Sequence, residues 1–543
     1  MYQFFPNLNK IYLIPAILLM PILLNHLGWN LDDSCNWLYR LKNEPFSFLP
    51  ATGGRYTPLN GLSQQIISYL SFSPIFFFLY NYIVGCFSII IILKITSNLS
   101  YDFRYVPVLI IFLPGFSETY YTFYSGEPTL SLFWCILLLC LYNIFLRNTS
   151  TSISSLLIIL TTANIALYHK EPGFIILIVF SASYLFGYLF SHNKRGSIDD
   201  KFVYKIFILI ALISSSIAYL IQYLFFSLSS FKTGYLSSLT PDWSLTGRLY
   251  YSFKALILYI ISDPIITVIL PLFFILSLFL RRKTKSRNNL SDHNQLYLFY
   301  TCLSFSVMCY LGFFLSLGIH AQHYLLPTYP FAIISLTGYL QVFMPMIKNK
   351  LKHLYVLVPV ALTALLLVNS LFSSINVAVN LKVSSYNFMR YKDALIQKID
   401  NINLIGNNRV NFYLPGKKDI GTDAYRHKAI LRFYDVDMDN IKFEYNSANQ
   451  NWVEYSSASS TENLIQIGDL FLITPNSTIS QEEIMANLHD LHLRNIFQTQ
   501  SAYYFEIPEI RHFLKFIMLK KNPKSLVHQM IYREADFAIY EIL

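Results

Sequence analysis

The chain is short of charge. Only 13% of its 543 residues are Asp, Glu, Lys or Arg, about half the share carried by soluble domains. That shortage argues against an ordinary soluble protein and against a charge-rich disordered chain. Cysteine is scarce as well: six residues, at 35, 86, 135, 140, 302 and 309, with no Cys-x-x-Cys pair. A cysteine zinc site is disfavoured, and the region beyond 309 has no material for a disulfide framework. The sequence also shows no phosphate-binding glycine loop, no metal signature and no internal repeat.

What is present in excess is apolar. Hydrophobic types make up 54% of the chain, and the mean hydropathy is +0.42. Apolar runs near 20 residues recur through the first two-thirds, the length needed to cross a bilayer as helix. A membrane β-barrel would show alternating segments of about ten residues instead. Candidate spans cover 10–28, 75–95, 105–123, 128–146, 153–168, 172–190, 203–226, 264–280, 296–318, 324–346 and 352–373. The expected fold is a polytopic α-helical membrane protein of about eleven spans, with a transmembrane domain over 1–375 and a soluble α/β domain over 380–543. The N-terminal run 11–24 lacks a small-residue cleavage site and reads as a retained first helix.

The net charge of +10 sits in the short connections between apolar runs. Residues 1–380 hold 23 Lys and Arg against 12 Asp and Glu, so membrane topology explains the excess better than nucleic-acid binding. With the N-terminus cytoplasmic, 16 of these cations fall inside and 7 outside. The run Arg281-Arg282-Lys283-Thr284-Lys285-Ser286-Arg287 is then a cytoplasmic anchor. An odd number of spans puts residues 380–543 in the periplasm, together with the long connection 29–74. The stretch 249–262 is amphipathic and aromatic, suited to the outer interface. Asp263-Pro264 suits a helix start, and a buried membrane acid is the alternative for Asp263. In the C-terminal region, 468–474, 410–414 and 537–542 read as strands, and a capping box at Ser480 opens a helix over 481–495.

Several residues on the expected outer side suit chemistry. Asp32 and Asp33 follow the first span, where partial desolvation suits a carboxylate to act as general base. The pair also suits a divalent cation, or simply a solvated loop. Gly53-Gly54-Arg55 offers a sharp turn followed by a forked donor for phosphate oxygens. Glu118 and Glu127 bracket Tyr120, Tyr121 and Tyr124, aromatics that fit an interface belt or a sugar. His169-Lys170-Glu171-Pro172-Gly173 joins two apolar runs with almost no spacer, so its ionisable groups must be paired or functional. His320 and His323 could meet phosphate or move protons; no third metal ligand accompanies them. Acid, cations and aromatics on one membrane face fit displacement at an anomeric carbon with a lipid phosphate as leaving group.

Over residues 1–345 the sequence resembles the GT-C superfamily of membrane glycosyltransferases, which includes the protein O-mannosyltransferases, the lipid A aminoarabinose transferases and the O-antigen glucosyltransferases. The resemblance rests on the Asp32-Asp33 pair, Gly-Arg-x-x-Pro-Leu at 54–59, Lys-Glu-x-Gly at 170–173 and Tyr-Leu-Leu-Pro-x-x-Pro at 324–330. It implies transfer of a sugar from a polyprenyl-phosphate donor at the outer face of a bacterial inner membrane. Asp32 or Asp33 would be the base. Arg55 and Lys170, with His323, would hold the donor phosphate. Glu127, Glu171, Tyr124 and His320 would face sugar or acceptor. The acceptor would be a cell-surface glycan, a lipid or a protein, with no nucleic-acid partner. Where the family often has Arg before Tyr-Leu-Leu-Pro, this chain has His323. An O-antigen polymerase or ligase is the alternative enzyme; a transporter or a non-catalytic scaffold is the alternative class.

Overall fold

The computed structural model describes residues 12–26, 39, 41–43, 56–97, 106–122, 126–147, 152–192, 200–228, 244–284, 291–319, 322–350, 354–405, 410–414, 420–444, 466–474, 492–499 and 537–543. Asp32, Asp33, Cys35, Arg55, Tyr124, His320 and the helix expected over 481–491 lie outside them.

The helices, in chain order, are α1 (Leu13–Leu19), α2 (Leu62–Ser68), α3 (Pro74–Thr96), α4 (Pro114–Tyr120), α5 (Glu127–Phe145), α6 (Ile153–His169), α7 (Gly173–His192), α8 (Asp200–Leu228), α9 (Leu245–Ser262), α10 (Leu270–Thr284), α11 (Ser291–Ser316), α12 (Tyr329–Lys350), α13 (Leu354–Ile405) and α14 (Ile420–Phe433). Among the described residues, five are long and apolar enough to cross a membrane: Pro74–Thr96, Glu127–Phe145, Gly173–Phe190, Asp200–Phe226 and Gln295–Ser316. Leu245–Ile260 and Ile265–Leu278 would add a sixth as one bent pair. Most of the other expected spans are present in shorter or interrupted form, and the last lies within a longer helix.

Proline accounts for the interruptions. The run 105–123 is not one helix: a 3-10 turn over Val106–Phe112 gives way to α4 at Pro114, with Leu113 extended between them. A residue before proline is driven out of the helical region, and proline suits the first turn of the next helix. α1 passes into a 3-10 turn at Met20-Pro21, although Met20 itself keeps a helical backbone. The run expected from 324 starts as a 3-10 turn, Gln322–Thr328, with Pro327 inside it, and α12 begins only at Tyr329. The last apolar run continues unbroken as the 52-residue α13, which passes straight through positions 375–380.

The bundle core is aromatic. Trp134, Tyr120, Tyr184, Tyr219, Tyr259, Tyr300, Tyr310, Tyr329 and Tyr339 are among its fully buried side chains. Helix α12 approaches α11 closely because Gly338 has no Cβ; one added there would run into the Tyr300 ring. The Ser335 hydroxyl donates to the Tyr300 carbonyl at the same crossing.

Beyond the bundle lies a five-stranded sheet of β1 (Val410–Tyr413), β2 (Ile441–Glu444), β3 (Leu470–Ile473), β4 (Leu493–Gln498) and β5 (Ala538–Ile542), in the order β2-β1-β3-β5-β4. β1 pairs in parallel with β2 and β3, while β5 runs antiparallel to β3 and β4. α14 makes the crossover that a parallel β1–β2 pair requires. The three expected strands are present. The helix expected to run to 495 does not reach that far, because 493–498 are β4, the partner of β5. The end of α13 places Phe388, Tyr391, Leu395 and Ile399 on one stripe, and these pack with strand residues into a second core. Leu41, Ile67 and Phe77 from the membrane half join that core, and Lys42 bonds Asp435 at 2.6 Å. The first connection and the start of α3 are thus tied to the sheet unit.

Candidate functional site

Four separate stretches of chain meet at one end of the bundle. They are the last turn of α4, the start of α5, the α6–α7 turn and the 3-10 turn before α12. Gly126-Glu127-Pro128 starts α5, with proline in the first turn and the Glu127 carboxylate accepting from the Gly126 N–H at 3.2 Å. The α6–α7 turn is tight because Lys170 is extended and Pro172-Gly173 opens the next helix, with the Gly173 N–H donating to the Lys170 carbonyl at 3.2 Å. A Cβ at Gly173 would lie 3.1 Å from Trp134, so the turn sits directly on the α5 indole.

That geometry brings Lys170 onto Glu127. The ammonium forms an ion pair with the carboxylate, and the two side chains are only 11% and 10% exposed. The ammonium also lies 4.7 Å from the centre of the Tyr324 ring. His323 packs on the same Tyr324 ring, with ring centres 4.3 Å apart. Glu118 holds His323 twice: one oxygen accepts from the His323 backbone N–H at 3.0 Å, and the other lies 3.1 Å from Nδ1. The result is a charged cluster in the order Glu118, His323, Tyr324, Lys170, Glu127. Tyr310 and Phe314 back it from α11, the Tyr310 hydroxyl donating to the Tyr324 carbonyl at 2.9 Å. Lys170 and His323 each have a carboxylate partner, as a desolvated ammonium requires and a buried imidazole favours.

An aromatic nest adjoins this cluster. Tyr56 stacks on Phe226 with ring centres 4.6 Å apart and meets Tyr168 edge-on at 6.0 Å. The hydroxyls of Tyr56 and Tyr168 both reach Gln222, at 3.3 and 2.7 Å, and the Tyr219 hydroxyl donates to the Tyr56 carbonyl at 2.9 Å. The Leu59 N–H donates to the Tyr168 carbonyl. The residue after Arg55 therefore sits beside the residue two before Lys170. Gly61, at φ 88°, turns the chain from this contact into α2, a conformation that glycine alone adopts readily.

Of the site residues expected from sequence, Lys170, Glu127 and His323 come together here. Glu171 is in the same turn, close enough to Tyr219 and Tyr310 to act on them electrostatically. Glu118 was legible only as an acid flanking a loop, yet it is the carboxylate that holds His323. Its signal was an acidic residue inside an otherwise apolar run. Asp263 fulfils both alternatives read from sequence. It is 1% exposed, and one oxygen faces the Ile266 N–H at 3.4 Å, in the manner of a cap. Its carboxyl also lies beside the Tyr329 hydroxyl, which accepts from the Gly115 N–H of α4 at 3.1 Å. Among the described residues no group of three or more His, Cys, Asp and Glu is arranged to hold a metal ion; the Asp32-Asp33 pair lies outside them.

No protein-family model matches the chain, and no curated protein matches it in sequence. Among solved structures, the chain is similar to ArnT from Cupriavidus metallidurans in the apo state, at 10% identity over 90% of this chain and 95% of that one, with a TM-score of 0.46. It is similar to the same protein bound to undecaprenyl phosphate, with the same identity and coverage and a TM-score of 0.45. It is also similar to the archaeal oligosaccharyltransferase AglB from Archaeoglobus fulgidus, in complex with an inhibitory peptide and a dolichol-phosphate. There the identity is 12% over 97% of this chain and 83% of that one, with a TM-score of 0.45.

Proposed function

We propose that this membrane protein transfers a sugar from a polyprenyl-phosphate donor to an extracytoplasmic acceptor. The observation that carries the reading is the cluster of Glu118, His323, Tyr324, Lys170 and Glu127, drawn from four stretches to one end of an apolar bundle. Buried cations beside aromatic rings suit the phosphate of a lipid carrier and the faces of a sugar. Arg55 joins the phosphate side of this site, as Tyr56 beside Tyr168 supports.

In the reaction, Asp32 or Asp33 takes the proton of the acceptor hydroxyl. The acceptor oxygen attacks the anomeric carbon from the face opposite the phosphate. The carbon–oxygen bond to phosphate breaks, and the electron pair leaves with the lipid phosphate. Lys170, Arg55 and His323 meet the charge that develops there. Glu127, Glu171, Tyr124 and His320 line the sugar and acceptor side, and a divalent cation at Asp32-Asp33 is compatible with this scheme. The chain sits in the bacterial inner membrane with its N-terminus cytoplasmic and the unit over 380–543 in the periplasm, where the acceptor is met.

The test is transfer of radiolabelled sugar from a polyprenyl-phosphate donor by the reconstituted protein. Asp32→Asn with Asp33→Asn is expected to abolish transfer while membrane insertion persists. Arg55→Ala is expected to raise the donor KM. Full activity in the double variant would overturn the assignment of the base.

A further inference from the structure

Helices long enough to cross the membrane carry part of the bundle's exposed apolar surface. α9 is placed differently. Its protein-facing stripe is Gly247, Tyr251, Ala255 and Tyr259, spaced four residues apart, with Ala255 and Tyr259 fully buried. Tyr251 packs against Gly318, just past the end of α11. The opposite face presents Leu249, Tyr250, Phe253, Ile257 and Ile260, all exposed. Lys254 is exposed at one edge of that apolar face, and Arg248 is exposed in the first turn, in line with the buried stripe.

The direction of α9 follows from its end. Asp263 closes it, its N–H donating to the Tyr259 carbonyl, and Pro264 starts the next element. There the axis turns by 109°. The stretch 265–284 then runs as one short helical path to Arg281 and Arg282. The apolar run 264–280, followed by cations, is one of the spans expected from sequence and points across the membrane, and a helix at 109° to it lies close to the membrane plane. The level is that of the charged cluster, because Tyr259 is within electrostatic range of Glu118 and Tyr324.

We propose that α9 lies flat in the outer leaflet of the phospholipid bilayer, its apolar face among the acyl chains and Lys254 at the headgroups. Through Tyr259 and Asp263 it holds the charged cluster at headgroup depth, the level at which a lipid-borne phosphate travels. The occupant is the bilayer surface, because five large apolar side chains on one face with Lys254 at its edge are complementary to anionic headgroups over acyl chains. The placement of α9 stands apart from the sugar-transfer reading, and its test needs no turnover.

The full chain, with its native cysteines replaced by serine, is reconstituted in vesicles of phosphatidylethanolamine and phosphatidylglycerol. Nitroxides are attached after Phe253→Cys, Ile257→Cys and, as the spanning reference, Leu276→Cys. Depth is read from the balance of collisions with oxygen and with a water-soluble nickel complex. Labels at 253 and 257 should lie about 5–10 Å below the phosphates, well above the label at 276. Equal depth at all three would make α9 a spanning segment and overturn the proposal. Full access to nickel at 253 and 257 would also overturn it, as would loss of contact with both reagents, the mark of a second protein copy on this face. Should the cysteine-free chain fail to assemble, Phe253→Trp in the native background reads the same depth. Lipids brominated near the headgroup should then quench the added fluorescence more than lipids brominated near the chain end, and the reverse order would overturn the proposal.

Discussion

At the end of the bundle, Lys170 meets Glu127 with both side chains nearly buried; at the rim of the sheet, Arg494 meets Glu541 with its own side chain 55% exposed. The sheet carboxylate also takes a 2.6 Å bond from Lys398. The residue types are alike, and the surroundings decide what each does. In the bundle the pair is cut off from water, so removing one partner strands the other. At the sheet the carboxylate is as enclosed as Glu127, both 10% exposed, but two cations share it and Arg494 reaches solvent. The comparison separates a place where both charges are kept from water at a cost from one where a cation stays in water. The costly place is the better candidate for function.

The largest effect should follow from stranding a bundle charge. Lys170→Met should destabilise the protein by about 3–5 kcal/mol, the usual cost of orphaning a buried charge. Lys170→Met with Glu127→Gln should recover much of that loss. Thermal unfolding in detergent measures both, and a harmless single variant would break the comparison. Next is Asp469, buried below β3, whose oxygens accept from the backbone N–H groups of Asn411 and Gln466, both at 2.8 Å. Asp469→Ala leaves both donors without their acceptor and should cost about 1–3 kcal/mol for each. This is the one position where the sheet should behave like the bundle. Gly338→Ala presses a methyl into the Tyr300 ring and should cost about 1–3 kcal/mol, read as a lower unfolding temperature.

The smallest effect belongs to Glu541. Burial raises its pKa, but Lys398 and Arg494 more than offset this and bring it below the ordinary 4.5. A carboxylate lowered on folding contributes stability above its unfolded value and loses it as pH falls through the lowered one. Glu541→Gln should therefore cost under about 1 kcal/mol near neutrality, less in high salt. The difference from the parent should vanish as pH drops below 4.5. A pH series of unfolding curves checks the sign, and a gap that widens in acid would refute it.

The sequence showed where apolar runs and strands lie, because periodicity and turn residues are local signals. Leu470–Ile473 is an example: four consecutive apolar residues set between turn residues. It showed the runs' interiors less well. Pro107, Pro21 and Pro327 lie in 3-10 turns and Pro114 restarts the helix after one, and hydropathy alone cannot register that. The strand at 493–498 looked helical by its own pattern. Its partner β5 lies more than 40 residues away, so pairing outweighed local preference. At the site, Lys170 was legible as a costly group in apolar surroundings, Glu127 as an acid beside tyrosines and His323 as a group for phosphate or protons. Their partners were not, because Glu118 and His323 are separated by 205 residues.

The most direct measurement is binding of undecaprenyl phosphate to the reconstituted protein, parent against Arg55→Ala and His323→Gln, followed by native mass spectrometry. The account predicts that the parent retains the lipid and that each variant weakens it by about tenfold or more, the worth of a charge-assisted contact. Equal retention by all three would contradict it.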